Sequence, residues 1–439
     1  MLINSETVRE EKYYQLDLDK RKIDTNLSFD EAKSRLKEIL TDSVKLRLDQ
    51  ADVEVGTYFS GGIDSSIITK IAESLKTSES IKTYSIDFED KLYSEVDFQN
   101  DFINQSNISN RRINISYDSI FENIKSAVYY GGQPFYRTAA VPLFLLSQEV
   151  NRDKLKVVLC GEGADEVFWG YDIFKEVKIR KYWSQKPDSD SRAELLGSLY
   201  QFLPHYNKKY QKFLTAFYKK TLLSNDIDFY SHLVRWQNCI PLKSYFSDDL
   251  NQRLSHYDSI EDLRSQLPQN FKHFSYSAKA QYIEMAILLP NILLSSQGDK
   301  MAMANSVELR VPFLDTRLVE FASTIPEEYK LKSMQDKYIL REAFRYRLPD
   351  SIYSRAKQAY HAPEMKSFAT NSKDSYVEHL FSNEVTKDIG LFKPGLVNRL
   401  YKKAIADSLT GRFSTQDNMA FIQILTTHLF YSFYIKNYL

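Results

Sequence analysis

Hydrophobic and polar positions in the first 180 residues follow two alternating patterns. Short runs of β-branched and aromatic residues predict buried strands, which we place at 53–59, 82–88, 112–115 and 156–160, with a further strand-like piece at 12–16. Amphipathic runs predict helices, which we place at 28–48, 95–104 and 141–150, with another that ends near residue 75. Strands that alternate with helices are typical of parallel βαβ units. The predicted fold class is therefore α/β with a parallel sheet.

Beyond about residue 180 the pattern changes to long helical stretches rich in Tyr, Leu and Phe and separated by prolines. This pattern predicts a large, mainly α-helical second half that packs against the first and supplies part of a site. The last segment, 418–439, is crowded with aromatic residues at helical spacing. We interpret it as a buried terminal helix, because packing explains such a stripe better than a cofactor does.

Composition and charge exclude several classes of protein. The chain has 439 residues, with 58 Lys and Arg against 58 Asp and Glu. This balance argues against binding of long nucleic acid, which usually requires an excess of basic residues. Cys160 and Cys239 are the two cysteines, too few for a disulfide framework. The most apolar stretch, 286–294, is too short to span a membrane, and the N-terminus does not resemble a secretory signal. We therefore expect a cytoplasmic protein without a membrane partner.

The first loop with candidate chemistry, at 60–66, follows the predicted strand 53–59. Two glycines allow successive N–H groups to point at one anion, and the next helix adds its positive N-terminal end. Asp64 would repel a phosphate unless a divalent cation lay between them, which suggests Mg²⁺. The alternative is a strand-to-helix turn capped by serine. A Walker loop is excluded because neither Gly-Lys-Ser nor Gly-Lys-Thr occurs in the chain.

The second loop, at 161–166, follows the predicted strand 156–160 and carries Glu162, Asp165 and Glu166. Three carboxylates in five residues are costly unless a metal or a cation neutralises some of them. We expect Asp165 to meet Asp64 across neighbouring strand ends and to share Mg²⁺ with a triphosphate. Taken alone, the loop is equally consistent with an acidic, solvent-exposed turn.

These loops are similar to those of the PP-loop ATP pyrophosphatases, and the chain resembles the synthetase domain of the asparagine synthetases over about residues 10 to 430. The matching segments are 60–66, 83–86, 160–166 with 170–171, 306–315, 337–344 and 357–360. The resemblance implies three parts: a lead-in segment at 1–45, an α/β PP-loop nucleotide-binding core at 46–180, and a helical portion at 181–439 that completes the active site.

The resemblance also implies a reaction. A carboxylate, most simply the aspartate side chain, attacks the α-phosphorus of ATP, and ammonia or an amine then displaces AMP. Asp64 and Asp165 match the Mg²⁺ ligands. Lys357 matches the catalytic lysine of the family. Glu162 matches a carboxylate that orients the acceptor or removes a proton from the amine. Arg137 is a candidate to bind an acceptor carboxylate, and the alternative is that it forms a structural ion pair. The remaining ATP and pyrophosphate positions are Phe59, Ser60, Gly61, Gly62, Ser65, Ser66, Ser85, Ile86, Cys160 and Gly161.

The sequence departs from the glutamine-dependent members of the family. Those begin with a cysteine nucleophile and a glutaminase domain, whereas residue 2 here is Leu2 and about fifty residues precede the phosphate loop. We therefore expect free ammonia, a separate glutaminase subunit or another amine as the nitrogen source. The sequence leaves a homodimer open as the oligomeric state. Trp169 stands where a glycine is common and is a candidate to reshape the acceptor pocket. The alternatives are a specialised amide, lactam or peptide-cyclising synthetase, a tRNA-modifying PP-loop enzyme, and a non-catalytic nucleotide-binding partner.

Overall fold

A five-stranded parallel sheet forms the centre of the N-terminal half. The computed structural model describes residues 2–3, 7–10, 12–76, 80–200, 208–358, 360–369, 375–408 and 413–439. The strands are β1 (Val55–Tyr58), β2 (Ile81–Phe88), β3 (Ile108–Ile115), β4 (Val157–Leu159) and β5 (Glu308–Arg310), in the spatial order β3-β2-β1-β4-β5. The predicted α/β class with a parallel sheet is confirmed.

The strand order places a topological switch point between β1 and β4, because the chain moves outward to β2 on one side of β1 and to β4 on the other. Ligands in open α/β sheets bind beyond the carboxyl ends of the strands at such a point. The register Thr57↔Leu159 brings β1 and β4 to an end at the same level. The loops that follow these two strands are therefore neighbours.

Helices cover the sheet and build the rest of the chain. The first long one, α1, begins after Ser28, whose hydroxyl accepts from Glu31 N–H while the Glu31 carboxylate accepts from Ser28 N–H, which completes a capping box. The helices are α1 (Phe29–Asp49), α2 (Ile63–Leu75), α3 (Val96–Asn104), α4 (Tyr117–Gly131), α5 (Ala140–Arg152), α6 (Ala164–Phe168), α7 (Asp172–Ser184), α8 (Asp190–Ala193), α9 (Lys208–Lys219), α10 (Leu233–Cys239), α11 (Asp248–Arg253), α12 (Ser259–Ser265), α13 (Tyr276–Ile283), α14 (Lys300–Met303), α15 (Thr316–Thr324), α16 (Glu327–Lys330), α17 (Tyr338–Phe344), α18 (Asp350–Ser354), α19 (Met365–Ala369), α20 (Tyr376–Leu380), α21 (Asn383–Ile389), α22 (Pro394–Ser408) and α23 (Thr415–Tyr434).

Two large apolar clusters hold these elements together. One lies between the sheet and α1, α2, α15 and α17. The other packs α4 and α5 against the C-terminal helices, and Phe421, Leu425 and Leu429 of α23 are fully buried in it. The predicted buried terminal helix is therefore confirmed. Among the described helices, none is long and apolar enough to cross a membrane.

One predicted strand is wrong, and three observed strands were not predicted. Residues 12–16 form no strand, because they have no ladder partner, and the Tyr13 side chain is fully exposed. One of these three is β5, which the second half of the chain adds in parallel to β4. The other two, Leu2–Ile3 and Val8–Arg9, pair with each other in antiparallel register.

A π-helix at Glu284–Asp299 continues α13 and contains Pro290. Such helices are rare and occur often at functional sites, since the wider turn displaces side chains from their α-helical positions. Leu288, Ile292 and Leu293 of this helix face the cavity described below. The second half of the chain thus supplies an apolar wall to the sheet edge.

Candidate active site

A cavity of about 430 Å³ opens at the carboxyl ends of β1 and β4. Its charged end contains Asp64, Glu162, Asp165, Lys337 and Lys357. Aromatic, polar and further charged residues line the rest together with apolar side chains, and the apolar ones are Phe59, Ile63, Ile86, Phe88, Ala139, Leu143, Leu146, Leu288, Ile292, Leu293, Ile352, Ala356 and Ala362. The predicted meeting of the two loops is observed.

The 60–66 loop leaves β1 and turns into α2. Gly61 has φ +77°, a left-handed conformation that favours glycine. The Ser65 hydroxyl accepts from Ser60 N–H at 3.1 Å and contacts the Ser60 hydroxyl at 3.0 Å, which holds the loop closed. Gly62 caps α2 without a side-chain hydrogen bond. The first N–H groups of α2 are therefore available to an anion at this end of the cavity.

Gly161 allows the two loops to touch. A Cβ at this position would lie 2.9 Å from Ser65 N and 3.0 Å from Asp64 Cβ, which is closer than real Cβ atoms pack. A side chain here would push the 161–166 loop away from α2. Glycine therefore sets the distance between the two acidic loops.

Lys337 bridges the two aspartates, a contact that the sequence did not reveal. Its Nζ donates to Asp64 Oδ2 at 2.5 Å and lies 2.6 Å from Asp165 Oδ1. The Lys337 side chain is fully buried, and its backbone takes a left-handed conformation at φ +51° immediately before α17. Lys337 is the first residue of the 337–344 segment, which resembles the family, but no local sequence pattern indicated that its side chain would contact two loops.

Lys357 contacts one of these two aspartates, Asp165, from the cavity side. Its Nζ donates to Asp165 Oδ2 at 2.6 Å, and its side chain is about a quarter exposed. Burial opposes the charge on Lys357, but Asp165 and Asp64 outweigh burial and raise the Lys357 pKa. This ammonium is therefore held in its charged form beside Asp165.

The two aspartates differ in their electrostatic state. Burial opposes ionisation of Asp165, but Lys337 and Lys357 outweigh burial and lower its pKa to about 2. Burial raises the pKa of Asp64 despite the attraction of Lys337. Asp64 Oδ1 is buried and has no hydrogen-bond partner. One carboxylate oxygen at the centre of the site is thus left for a ligand.

Among the side chains that the structure describes, none forms a hydrogen bond or ion pair with the Glu162 carboxylate. Burial, with the nearby Asp165 and Asp64 charges, raises its pKa to about 7 although Lys357 opposes the shift. Its neighbour Glu166 is fully buried, accepts from Tyr171 Oη at 2.5 Å and has a pKa of about 8, again raised by burial. Glu162 can therefore exchange a proton near neutral pH.

Gly170 makes room for the lysine bridge. A methyl group at this position would overlap an oxygen of Asp165 and the Cε and Nζ atoms of Lys337. We expect Gly170→Ala to lower the free energy of unfolding by about 1–3 kcal/mol, since overpacked interiors must shift. Urea unfolding measures the effect. The matched control is Gly395→Ala, because a methyl group there meets nothing within 4 Å. Equal stability of the two variants would contradict the packing argument.

Arg355 fastens the segment that carries Lys357, and sequence analysis missed it. Its guanidinium donates to the Gly61 carbonyl at 3.1 Å, forms an ion pair with Glu95, and lies over the Phe98 ring at 4.1 Å. Residues 355–358 form no regular element, so this clamp holds them against the 60–66 loop. Glu95 and Arg355 are 260 positions apart, and no local pattern predicts that they meet.

Arg137 also lines the cavity and pairs with Glu364 at 2.7 Å. The geometry is that of the ion pair which the sequence left open as an alternative to a carboxylate clamp. His361 lines the cavity as well, and burial, together with the Arg137 charge, lowers its pKa to about 4, so its imidazole is neutral. An acidic ligand that paired with Arg137 would have to displace Glu364.

Not every predicted site residue reaches the cavity. Phe59, Ser60, Gly62, Asp64, Ser65, Ile86, Cys160, Gly161, Glu162, Asp165, Arg137 and Lys357 line it. Ser66 is fully buried, and its hydroxyl donates to the Gly62 carbonyl at 2.7 Å. Ser85 is also buried and accepts from Asn110 Nδ2 at 3.0 Å. These two side chains, and Gly61, lie behind the lining. Ala359 of the 357–360 segment lies outside the described residues.

Trp169 does not shape the acceptor pocket, so that interpretation is wrong. The side chain is buried away from the cavity, where it stacks on Phe174 at 5.3 Å and donates to Gln281 Oε1 at 2.8 Å. Its backbone has φ +61°, a left-handed conformation. This conformation explains why a glycine is common at the position, since only glycine adopts it without strain.

A magnesium site in this cavity would need oxygens from outside the protein. Within the described part of the chain, no group of three or more His, Cys, Asp or Glu is arranged to hold a metal ion. Mg²⁺ is usually bound by one or two carboxylates together with substrate phosphates. Asp64 Oδ1, buried without a partner, fits such an ion when it arrives with a triphosphate.

The parallel sheet, the switch point and the glycine-containing loop before α2 define an α/β protein of the nucleotide-binding type. Comparison with known families narrows the class. Residues 35–430 match the model of the asparagine synthase family. The chain belongs to that family.

Curated relatives match the chain at modest identity. The asparagine synthetase [glutamine-hydrolyzing] 1 of Bacillus subtilis strain 168 is 29% identical over 81% of this chain and 54% of its own length. The amidase chyE of Penicillium rubens is 27% identical over 98% of this chain and 66% of its own length. The amidase chry2 of Gibberella zeae is 25% identical over 92% and 62%, respectively. The chain thus spans about half to two thirds of the length of these relatives.

Proposed function

We propose that this protein is an ATP-dependent ligase that forms an amide and releases AMP and pyrophosphate. A carboxylate substrate, with aspartate the first acid to test, would be adenylated and then attacked by ammonia or an amine. The observation that carries the proposal is the joining of the two strand-end loops through Lys337, with Lys357 on the cavity side of the same aspartates. A cytoplasmic location stays a prediction from the sequence.

The loops suit the nucleotide. The free N–H groups at the start of α2 and the Ser60 hydroxyl would hold the departing pyrophosphate. Phe59, Ile86 and Cys160 would bound the adenosine, because they form an apolar wall beside that loop. Lys357 would stabilise negative charge that develops on the α-phosphate or in the tetrahedral intermediate, since its ammonium is a compact charge already held in place by Asp165.

Asp64 and Asp165 would hold Mg²⁺ together with the triphosphate. The ion, when bound, screens phosphate charge so that an anionic carboxylate can approach. Asp64 would offer Oδ1, which has no partner, while Lys337 keeps Oδ2. The lysine bridge would therefore hold the two carboxylates in place before the nucleotide binds, which reduces the reorganisation needed at the moment of reaction.

The direct test is the pair of products. The purified chain, with MgATP, ammonium and a panel of amino and other carboxylic acids, is expected to release AMP and pyrophosphate in equal amounts, dependent on the acid. Chromatography of the nucleotides and a coupled pyrophosphate assay measure both. Release of ADP and phosphate would contradict the mechanism. Replacement of ammonium by glutamine, with and without a separate glutaminase, identifies the nitrogen source.

Glu162 gives the second step a pH dependence. As a general base it must be ionised, so with its pKa of about 7 the rate of amide formation is expected to rise through pH 7 and then to level off. The rate is measured at constant free ammonia, so that the titration of ammonium does not interfere. Glu162→Gln should lose the inflection and most of the amide formation while it retains acid-dependent exchange of pyrophosphate into ATP. An unchanged profile in Glu162→Gln would remove Glu162 from this role.

A second candidate is a specialised amide synthetase of secondary metabolism. Two relatives that align over more than nine tenths of this chain are named amidases. The same adenylation chemistry would serve both functions, and the acid and the amine separate them. A wider panel of acids and amines in the product assay therefore distinguishes the two.

A further inference from the structure

Arg341 is a buried arginine of α17 that contacts two distant parts of the chain. Its Nε donates to the Asp336 carbonyl at 2.9 Å, and its Nη2 donates to the Asp336 carboxylate at 2.9 Å. Its Nη1 donates to the Tyr353 carbonyl at 2.6 Å. Asp336 directly precedes Lys337 in the chain. Tyr353 lies four positions before Lys357. One guanidinium group therefore joins the two segments that carry the lysines of the candidate active site.

The segment that carries Lys337 has a strained backbone. Ser333, Met334 and Lys337 all adopt left-handed conformations, with φ between +48° and +64°. Such conformations cost free energy in residues other than glycine and persist only where the surrounding structure holds them. Arg341 binds both the carbonyl and the carboxylate of the residue before Lys337, and its own N–H donates to the Lys337 carbonyl at 2.9 Å. These bonds hold the chain on both sides of Lys337.

The ion pair between Arg341 and Asp336 is buried and charged. Lys175 contacts the second carboxylate oxygen of Asp336 at 3.1 Å. Burial opposes the ionisation of Asp336, but Arg341 and Lys175 outweigh burial and lower its pKa. The Arg341 guanidinium donates through all three of its nitrogens, and because the group is planar these bonds fix its orientation.

The bond from Arg341 to the Tyr353 carbonyl caps the C-terminal end of α18. Carbonyls in the last turn of a helix have no partner within the helix, and basic side chains often bind them. Residues 355–358 form no regular element, so the end of α18 is the nearest regular structure before Lys357. Arg355 fastens this stretch to the 60–66 loop, whereas Arg341 fastens it to the segment that carries Lys337. The position of one lysine relative to the other therefore depends on Arg341.

Asp165 also joins the two lysines, but the proposed function assigns Asp165 to Mg²⁺. Lys337 Nζ lies 2.6 Å from Asp165 Oδ1, and Lys357 Nζ donates to Asp165 Oδ2 at 2.6 Å. An ion at Asp165 would compete with both ammonium groups for these oxygens. The side chain of Arg341 binds two backbone carbonyls and Asp336, and the proposed function assigns none of these groups to a ligand. Arg341 would therefore keep the lysines in place after the nucleotide has bound.

We propose that Arg341 is a positioning residue, which sets the distance between the Lys337 and Lys357 ammonium groups while MgATP is bound. The inference rests on the proposed function and adds the residue that holds its two lysines together. A displacement of about 1 Å at a reacting centre can cost about 10² in rate. Loss of the bond to the Tyr353 carbonyl is therefore expected to lower kcat about 10- to 100-fold, by way of the lysines.

Arg341→Lys tests the proposal, because it keeps a positive charge beside Asp336 but cannot donate to all three acceptors at once. Alone, it is expected to lower kcat for AMP release about 10- to 100-fold. In the Lys357→Ala background it is expected to lower kcat less than about threefold, because no second lysine is left to position. Arg345→Lys is the matched control, since Arg345 lies four positions later with a half-exposed side chain, and it should be fully active. Effects that multiply would overturn the inference, because Arg341 would then act independently of Lys357.

Should no acid release AMP, binding of MgATP measures the same coupling. Isothermal titration is expected to give a Kd about tenfold weaker for Arg341→Lys, and less than about twofold weaker when Lys357→Ala is also present. Asp336→Asn with Arg341→Gln replaces the buried ion pair by neutral side chains that still form hydrogen bonds, and it should show the same coupling if Arg341→Lys fails to fold. Coupling in MgATP binding without AMP release would retain the role of Arg341 and refute the ligase. Equal loss of affinity with and without Lys357 would overturn the role of Arg341.

Discussion

Lys337→Met is expected to lower the free energy of unfolding by about 3–5 kcal/mol, the cost of removing one partner from a buried ion pair. Without this ammonium, Asp64 and Asp165 face each other with Lys357 alone to compensate two charges. The variant should also lose AMP formation, because the two loops would no longer be held at the same distance. Urea unfolding at neutral pH measures the loss of stability.

A second substitution tests whether charge is the cause. In the double variant Lys337→Met with Asp64→Asn, one of the two uncompensated carboxylates is removed, so much of the lost stability should return. Lys332→Met is the matched control, since Lys332 is exposed and lies five positions earlier. If the double variant is no more stable than Lys337→Met alone, the loss comes from packing of the lysine stem and the electrostatic account is wrong.

Lys357→Ala is expected to reduce kcat by a factor of about 10²–10³ and to change stability by less than about 1 kcal/mol, in contrast to Lys337. The loss of rate is typical of removing one group that stabilises charge in the transition state. The small effect on stability follows because Lys337 still compensates Asp165 and because the Lys357 side chain is partly exposed. AMP release at saturating substrates, together with urea unfolding, measures both.

Lys357→Arg separates charge from geometry. The guanidinium keeps the positive charge but cannot act as a compact point charge, so a partial return of activity is expected. The Lys332→Ala variant should be fully active. Full activity of Lys357→Ala would remove Lys357 from the reaction, whatever its contact with Asp165.

The sequence predicted the core of the sheet well because its local signals agree. The strand at β1 is a run of apolar and β-branched residues that ends at Ser60 and two glycines, and the strand at β4 ends at a second glycine-containing loop. Both loops lie where strands of a parallel sheet must bring them. The helix predicted at 28–48 was recognised from its amphipathic pattern, and the structure has it at Phe29–Asp49, directly after the capping box at Ser28.

Features that depend on distant parts of the chain were not predictable. Strand β5 has three residues, and only its pairing with β4 makes it a strand. The segment at 12–16 has a strand-like composition but no neighbouring strand to pair with, so its β-propensity alone does not make it a strand. Lys337 and Arg355 reach the 60–66 loop from positions more than 270 residues away. Contacts between residues so far apart in the chain produce no periodic pattern in the sequence.

The addition of β5 has a consequence for synthesis of the protein on the ribosome. Strand β4 cannot gain its outer neighbour until residue 310 has left the exit tunnel, because Arg310 O accepts from Cys160 N–H at 3.0 Å. Until then, the nascent polypeptide carries an open edge beside its phosphate loop, and open edges invite pairing with other chains. A fragment that stops near residue 180 is therefore expected to self-associate, and shortened versions for expression should extend past β5.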